Sequence, residues 1–180
     1  MASNRNADRL GEELYLAAGR GDQEQVALAL DQGANINATC GQNWTPLHFA
    51  AWNGHESVVR LLLDRGASIN ATEEYLRTPL HFAAQIGHES IVRLLLDRGG
   101  SINATEVYLR TPLYLAAESG HESIVRLLLD RGASINATNK DNWTPLHGAA
   151  REGHESVVRL LLERGADTTI VSVRQYPCCC

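Results

Sequence analysis

Residues 45–66 of the chain read TPLHFAAWNGHESVVRLLLDRG, and this stretch decides the fold. Thr45 followed by Pro46 predicts the start of a helix, because a threonine hydroxyl caps an early N–H group and proline fits the first helical turn. Gly54 predicts the end of this short helix, since glycine readily adopts the left-handed conformation found after many helices. A second helix with a broad apolar face follows, and Gly66 ends it.

The same pattern recurs along the chain at a fixed interval. Thr-Pro pairs begin at Thr45, Thr78, Thr111 and Thr144, each 33 residues after the one before. This period is typical of stacked repeats, in which neighbouring units cover the apolar face that one unit cannot bury alone. The sequence therefore predicts a polar, disordered leader, then one domain of five repeats, then a cysteine-rich tail. In chain order the leader is 1–11, the domain is 12–176 with repeats 12–44, 45–77, 78–110, 111–143 and 144–176, and the tail is 177–180.

These residues resemble an ankyrin-repeat array. Thr45 to Ala51 and Thr78 to Ala84 carry the full Thr-Pro-Leu-His-x-Ala pattern of that family, and glycine-histidine pairs join the two helices of each repeat. The resemblance implies an all-α solenoid of stacked helix pairs with β-hairpin fingers. Repeat 12–44 is a degenerate, polar copy, as expected of a capping repeat. The likeness to long eukaryotic arrays indicates a eukaryotic, intracellular protein.

The chain departs from the family pattern at several positions. Tyr114 stands where histidine is expected, and Gly148 stands where two other repeats have phenylalanine. The family prefers glycine at the fingertip, two residues before Thr-Pro. Those positions are here Asn43, Leu76, Leu109 and Asn142. Because asparagine tolerates a positive φ better than leucine does, we expect the two leucine fingertips to bend differently from the other two.

The predicted function is that of a non-catalytic protein–protein interaction module or scaffold without a cofactor. In ankyrin proteins the inner helices and fingers form a concave surface that binds partners, and the resemblance implies the same here. Trp, Tyr and Arg supply much of the binding energy at such surfaces. The predicted partner-binding residues are Arg20, Gln42, Trp44, Trp52, Asn53, Tyr75, Arg77, Gln85, Ile86, Tyr108, Arg110, Glu118, Ser119, Asp141, Trp143, Arg151 and Glu152. The alternative for Trp44 and Trp143 is that they only shield the hairpin stem.

The charge of the chain argues against nucleic-acid binding. The net charge is −5, and no repeat has the basic stripe that a nucleic-acid reader normally shows. The first residues contain no apolar segment of a secretory signal, and the apolar runs are too short to span a bilayer. We therefore expect a protein partner and a location in the cytoplasm or nucleus, with membrane contact only if the chain is lipidated.

All seven histidines occupy two positions of the repeat, which predicts a structural hydrogen-bonding role in each copy. No cysteine or carboxylate completes the spacing of a metal site near them. Cys40 and His48 leave open a small thiol enzyme, with the histidine as base, although the sequence provides no third orienting group.

The C-terminal end leaves two questions open. A prenylation box would need cysteine where Pro177 stands, but acylation of Cys178, Cys179 or Cys180 would make the chain a lipid-anchored adaptor at a membrane surface. The alternative is an unmodified tail or the start of a sixth repeat. The last helix pair is as apolar as the internal ones, so self-association at this uncapped face is a further expectation.

Overall fold

The computed structural model describes residues 2–171, with side chains from residue 8 onward. Within this range the chain forms ten α-helices and no strand. The helices are α1 (Ala2–Arg20), α2 (Gln23–Asp31), α3 (Pro46–Asn53), α4 (Glu56–Asp64), α5 (Pro79–Ile86), α6 (Glu89–Asp97), α7 (Pro112–Glu118), α8 (Glu122–Asp130), α9 (Pro145–Arg151) and α10 (Glu155–Glu163). The prediction of an all-α chain of helix pairs is confirmed for these residues.

The helices begin and end at the predicted residues. The hydroxyl oxygen of Thr45 accepts a hydrogen bond from the main-chain N–H of His48 at 3.4 Å, and Pro46 is the first residue of α3. Gly54 follows α3 with φ of 81°, and Gly66 follows α4 with φ of 89°. A threonine cap and a left-handed glycine therefore delimit the helices, as the sequence predicts.

The expectation of a disordered leader was wrong for the described part of residues 1–11, because α1 begins at Ala2. Leu10 and Leu14 lie four residues apart and are only 4% and 0% exposed. Leucines at this spacing share one face of a helix. Burial of Leu10 therefore stabilises a helix that extends into the polar leader.

The helices belong to two compact units. The first unit comprises the chain up to Ala83 together with His88–Ser101. In it, α1 packs against α2 and α3, α4 packs against α2 and α3, and α4 also contacts α6. Each of α1 to α4 therefore contacts its partner helix and the corresponding helix of a neighbouring pair. The fully buried core residues of this unit include Leu14, Ala18, Val26, Ala51, Val58 and Leu62.

The second unit comprises residues 84–87 and the chain from Ile102 onward. In it, α7 packs against α8 and α9, and α10 packs against α8 and α9. The pattern of contacts is the same as in the first unit. Its fully buried core residues include Leu113, Ala116, Val125, Leu128, Ala149, Val157 and Leu161.

Histidine and glycine join neighbouring helix pairs in both units. In the first unit, Nε2 of His88 lies 3.0 Å from the carbonyl oxygen of Trp52, and a Cβ added to Gly54 would lie 2.7 Å from Cε1 of the same ring. Because a carbonyl only accepts, Nε2 must carry the proton. The equivalent bonds, all at 3.0 Å, are His55 to Gly19, His121 to Gln85 and His154 to Glu118. The predicted structural role of these histidines is confirmed.

Asparagine and arginine add polar contacts between neighbouring pairs. The side-chain oxygen of Asn70 accepts a hydrogen bond from the main-chain N–H of Ser101 at 2.8 Å. Asn37, Asn103 and Asn136 make the same contact in their own units. Arg98 pairs with Asp64 at 2.7 Å, and the same ion pair occurs at Arg65–Asp31 and Arg164–Asp130. These surface ion pairs contribute little energy each, about 0–1 kcal/mol, but they neutralise the arginines.

Four turns, which we call the fingers, stand where β-hairpins were predicted. The fingers are residues 40–44, 73–77, 106–110 and 139–143. In each one the first residue donates to the carbonyl of the fifth at 2.9–3.2 Å, and the fourth donates to the carbonyl of the first at 2.8–3.0 Å. Two bonds close the turn without a strand ladder, so within the described residues the prediction of β-hairpin strands is not confirmed.

The two leucine fingertips do not bend differently from the asparagine ones. The φ of both Leu76 and Leu109 is 61°, while Asn43 has 61° and Asn142 has 60°. A leucine in this left-handed region costs about 1–2 kcal/mol, because its Cβ approaches the next carbonyl oxygen. The finger closure therefore overrides the preference of leucine, and the expectation based on that preference was wrong.

Candidate partner-binding surfaces

None of the predicted partner-binding residues is buried in the described structure. The exposed ones are Arg20, Gln42, Trp52, Asn53, Tyr75, Ile86, Tyr108, Asp141, Arg151 and Glu152. The half-buried ones are Trp44, Arg77, Gln85, Arg110, Glu118, Ser119 and Trp143. All of these side chains are therefore accessible to some extent, and their role in binding stays a prediction.

An aromatic cluster lies between the first finger and the inner helices of the first unit. The ring centroid of Trp44 lies 5.1 Å from that of Phe49, 5.9 Å from that of Trp52 and 4.6 Å from that of Phe82. The rings of Trp52 and Phe82 are 5.4 Å apart and meet edge to face. These distances leave no room between the rings, so the cluster is a packed platform and not a cage for a ligand.

Trp52 is the exposed member of this aromatic cluster. It is 38% exposed, whereas Phe82 is fully buried and Trp44 is half-buried. Trp44 lies against four other rings, those of His48, Phe49, Trp52 and Phe82, which favours the alternative that it shields the hairpin stem. Trp52 therefore has two roles, since one edge packs on Trp44 and Phe82 while the rest faces outward.

Tyr75 and Arg77 continue this surface on the second finger. Tyr75 is 40% exposed, and the guanidinium of Arg77 lies 5.6 Å from its ring centroid and 4.4 Å from that of Phe82. Cation–π contact at such distances holds the arginine against both rings. The tyrosine is thus presented to solvent beside a cation whose position is fixed.

Glu73 fixes that arginine, and the sequence analysis missed it. Its carboxylate oxygen Oε1 accepts from the main-chain N–H groups of Tyr75 and Arg77 at 2.9 and 3.1 Å, and from Nε of Arg77 at 3.2 Å. Glu73 is only 2% exposed, so these bonds compensate for the burial of Oε1, while the buried Oε2 has no hydrogen-bond partner in the described structure. Glu106 holds the third finger in the same way, and Asn139 holds the main chain of the fourth. The recurrence of glutamate after 33 residues was the available signal.

A cleft of about 470 Å³ lies in the second unit. It is lined by Tyr108, Arg110, Tyr114, Glu118, Asn139, Lys140, Asp141 and Arg151. Tyr114 and Gly148, two of the departures from the family pattern, meet beside it. A Cβ added to Gly148 would lie 3.4 Å from Cζ of Tyr114 and 3.5 Å from Cβ of Glu118. An added Cβ would therefore be in ordinary van der Waals contact with the tyrosine ring.

Two arginines converge on one carboxylate in this cleft. Glu118 receives Nη2 of Arg151 at 2.7 Å and lies 3.5 Å from Nη1 of Arg110. Arg110 also pairs with the buried Glu106 at 3.1 Å. The hydrogen bond that Nε of Arg151 donates to the carboxylate of Glu152 at 2.7 Å raises the pKa of Arg151 above its ordinary value. Both guanidinium groups are therefore held at defined positions.

Tyr108 forms one wall of the cleft. It is 54% exposed, with the Arg110 guanidinium 5.4 Å and the Lys140 ammonium 5.8 Å from its ring centroid. The main-chain N–H of Lys140 donates to the carbonyl of Tyr108 at 3.0 Å, which joins the third and fourth fingers. The aromatic wall is thus attached to the finger that carries the lysine.

Other predicted binding residues also take part in internal contacts. The side chain of Asn53 donates to the carbonyl of Phe49 at 3.0 Å, so it is partly used within its own helix. The carbonyl of Gln42 accepts from Glu74 at 2.9 Å and that of Gln85 accepts from His121. Trp143 lies under the guanidinium of Arg151 at 5.1 Å, and in the described structure its buried indole nitrogen has no hydrogen-bond partner.

The alternative of a thiol nucleophile with His48 as base has no support in this geometry. Nδ1 of His48 accepts from the N–H of Thr45 at 3.2 Å and lies 2.8 Å from its hydroxyl, while Nε2 donates to the carbonyl of Arg77 at 3.1 Å. Both ring nitrogens are therefore occupied. Burial lowers the pKa of His48 to about 4 and raises the pKa of Cys40, which disfavours the thiolate.

Two further expectations concern metals and membranes. Among the residues described, no three metal-ligating side chains come together. None of the helices in residues 2–171 has the length and apolarity to cross a membrane. Cys178, Cys179 and Cys180 lie outside the described residues, so their lipidation stays a prediction.

Comparison with known families supports the architecture. A family model described as ankyrin repeats (3 copies) matches residues 71–139 and 107–172. A second, described as ankyrin repeats (many copies), matches residues 14–63. A search of curated proteins found no match. Ankyrin repeats are generally protein–protein interaction modules. Because the matched segments cover most of the sequence and coincide with the helix pairs, the chain belongs to the ankyrin-repeat family.

Proposed function

We propose that the chain is a non-catalytic, intracellular adaptor that binds a protein partner through its inner helices and fingers. The observation that carries the proposal is the exposed Trp52, packed on Trp44 and Phe82, together with the exposed Tyr75, whose ring lies 5.6 Å from the guanidinium of Arg77. Side chains that are held in place before binding lose little conformational entropy when the partner binds. Hot-spot residues of protein interfaces share this property. The intracellular location rests on the sequence.

Trp52 and Tyr75 should be replaced in separate variants, because they differ in how much they pack against other residues. Tyr75→Ala removes a side chain that is 40% exposed and lies beside the guanidinium of Arg77, so we expect weaker partner binding at nearly unchanged stability. Trp52→Ala also removes packing against Trp44 and Phe82, so we expect it to lower stability as well. Tyr75→Ala is therefore the more specific test of binding.

The experiment is affinity capture from the native lysate, with wild type and variants immobilised at equal density and retained proteins quantified by mass spectrometry. A partner of the proposed surface is retained by wild type and depleted by Tyr75→Ala. Arg60→Ala is the matched surface control. Arg60 lies in α4, not in the inner helix α3 that carries Trp52, and it forms an exposed ion pair with Glu56 of its own helix. If Tyr75→Ala retains the same proteins as wild type and Arg60→Ala, the partner does not bind at the proposed surface.

Leu94→Ala controls for loss of stability. Leu94 is 7% exposed in α6, and its truncation should cost about 2–5 kcal/mol of the free energy of unfolding. At a temperature where this variant remains folded, it should retain the partner. If the partner is lost from Leu94→Ala but retained by Tyr75→Ala, its retention depends on the stability of the fold and not on contact with the proposed surface.

Self-association through the last helix pair is a second candidate. Leu162 is 47% exposed, while the corresponding Leu63, Leu96 and Leu129 are half-buried. Gly153, unlike Gly54, has no described atom within 4 Å of an added Cβ. Sedimentation across a concentration range tests this candidate, with Leu162→Gln as the variant. A wild-type monomer at all concentrations would contradict it.

A further inference from the structure

We propose that the exposed ring of Trp52 and the carboxylate of Glu74 bind basic side chains, arginine or lysine, of the protein partner. Trp52 lies in the inner helix α3 and Glu74 lies in the second finger, and both belong to the first unit. This proposal rests on the proposed function and adds the charge that the partner must present.

The aromatic side chains of the second unit are covered by cations of the chain itself. The ring centroids of Tyr108 and Trp143 lie 5.4 Å and 5.1 Å from the guanidinium groups of Arg110 and Arg151. In the described part of the chain no cation lies over Trp52, although this residue is 38% exposed. Tryptophan is the aromatic side chain that attracts cations most strongly. Its ring is therefore open to a cation that a partner supplies.

The contacts of Trp52 hold its ring in place for such a ligand. It meets Trp44 and Phe82 edge to face, at interplanar angles of 71° and 76°. Neither neighbour is stacked parallel on the indole, so neither covers one of its faces completely. A ring that is fixed before binding loses little conformational entropy when the partner binds.

Glu74 supplies a carboxylate beside this aromatic cluster. Its main-chain N–H donates to the carbonyl of Gln42 at 2.9 Å, which joins the second finger to the finger that carries Trp44. Its side chain is exposed, and among the described residues it has neither a hydrogen bond nor an ion pair. An arginine or lysine of the partner would give this carboxylate a charged partner without the burial of either group.

Most charges in the elements next to Trp52 are already neutralised. The first finger and α3 contain no aspartate, glutamate, lysine or arginine. In the second finger the buried Glu73 pairs with Arg77 at 3.2 Å, and in α1 Glu13 pairs with Arg9 at 3.4 Å. The charge that a partner meets here is therefore determined by the side chains outside these pairs.

Those remaining side chains favour a basic ligand. From residue 12 to the end of α1 and in the second finger, the exposed groups without an ion pair in the described structure are the carboxylates of Glu12 and Glu74 and the guanidinium of Arg20. The first unit as a whole contains twelve acidic residues and eight arginines, a net charge of −4, whereas the second has nine acidic and eight basic residues. A basic segment is therefore attracted to this unit both locally and at longer range.

The experiment is an NMR titration of the full chain labelled with ¹⁵N. The probes are acetyl-Ala-Arg-Ala-Arg-Ala-amide, the same peptide with lysine in place of arginine, and the same peptide with uncharged citrulline. The signals to follow are the indole Nε1–H of Trp52 and the main-chain amides of Asn53 and Glu74. We expect saturable shifts with a millimolar Kd for a basic peptide and none for the citrulline peptide. Comparison of the arginine and lysine peptides identifies which cation the site prefers.

Three variants and one control test the assigned groups. Trp52→Leu keeps an apolar side chain on the cluster but removes the indole ring, and it should weaken binding about three- to tenfold. Glu74→Gln removes one exposed charge and should weaken binding about two- to fivefold, with less dependence on salt. Arg20→Gln removes a repelling cation and should strengthen binding about twofold. Glu24→Gln, the same change as at Glu74 but on an exposed residue of the outer helix α2, should bind like wild type.

Several results would overturn the assignment. Equal shifts with the arginine and citrulline peptides would show that charge has no role, and an absence of shifts at millimolar peptide would remove the site. Unchanged binding by Glu74→Gln, or equal weakening by Glu24→Gln, would also remove it, and these two exposed variants keep the test valid if Trp52→Leu folds poorly. In all these cases partner capture that depends on Tyr75 would leave the proposed function standing. Binding of the basic peptides without any Tyr75-dependent partner would instead contradict the proposed function and leave the cation site standing.

Discussion

The contact between Gly54 and His88 allows a quantitative test of how neighbouring helix pairs are joined. Gly54 has φ of 81°, and an added Cβ would lie 2.7 Å from the imidazole of His88. Gly153 occupies the same repeat position with φ of 76°, but no described atom lies within 4 Å of its added Cβ. The pair of variants Gly54→Ala and Gly153→Ala therefore separates the cost of steric contact from the cost of backbone conformation.

The magnitudes follow from these two environments. Gly153→Ala should cost about 1 kcal/mol, because it places an alanine in the left-handed conformation. Gly54→Ala should cost the same amount for that reason, and it also displaces the ring that donates to the carbonyl of Trp52 at 3.0 Å. A lost hydrogen bond costs about 1 kcal/mol and overpacking about 1–3 kcal/mol. We therefore expect Gly54→Ala to cost about 3–5 kcal/mol, which is about 2–4 kcal/mol more than its control.

The assay is urea denaturation followed by far-UV circular dichroism, with each glycine variant made in wild type and in His88→Ala. Without the imidazole, Gly54→Ala should cost no more than Gly153→Ala. The reasoning is refuted if the two glycine variants lose equal stability in the wild-type background. It is also refuted if the excess cost of Gly54→Ala survives removal of His88.

Two other predictions concern the fingers and the buried histidines. Leu76→Asn should raise the free energy of unfolding by about 0.5–1 kcal/mol, because asparagine tolerates the left-handed conformation at which leucine is strained; a lower thermal midpoint would contradict this. Burial lowers the pKa of His48 from 6.5 to about 4, so the unfolded chain binds a proton that the folded chain does not as the pH falls. This residue should therefore remove up to about 3 kcal/mol of stability between pH 6.5 and pH 4. His48→Gln should flatten the curve of unfolding free energy against pH, and an unchanged curve would show that the histidine does not contribute.

The helix pairs could be predicted because their determinants are local and repeated. Thr45, Pro46 and Gly54 each specify a backbone conformation through their own covalent structure, and the period of 33 residues fixes where the pattern recurs. The histidines could be assigned a structural role for the same reason, since a catalytic or metal site has no need of one copy in nearly every repeat.

The finger geometry could not be predicted from residue preference. The conformation of Leu76 is imposed by main-chain bonds and by Glu73, which holds the N–H groups on both sides of it. Both residues are present in the sequence. The hydrogen bonds by which Glu73 fixes the main chain around Leu76 can be recognised only from the three-dimensional structure of the turn. A local preference of about 1–2 kcal/mol was therefore outweighed by several hydrogen bonds.

The candidate binding surfaces were predicted in part. The family pattern indicated which positions are exposed, and it marked Tyr114 and Gly148 as departures. It did not indicate that these two residues meet beside a cleft, or that Glu118 would join two arginines there. Such convergence depends on side-chain positions from three separate segments, which the spacing along the chain does not specify.

The most direct test of the account is the equilibrium affinity of a captured partner for wild type and for Tyr75→Ala, with unfolding midpoints measured on the same samples. The account predicts that Tyr75→Ala weakens binding about tenfold, as for a hot-spot side chain, while its midpoint and the affinity of the Arg60→Ala control remain those of wild type. Wild-type affinity of Tyr75→Ala, or a loss that follows a lowered midpoint, would contradict the claim that this surface binds the partner.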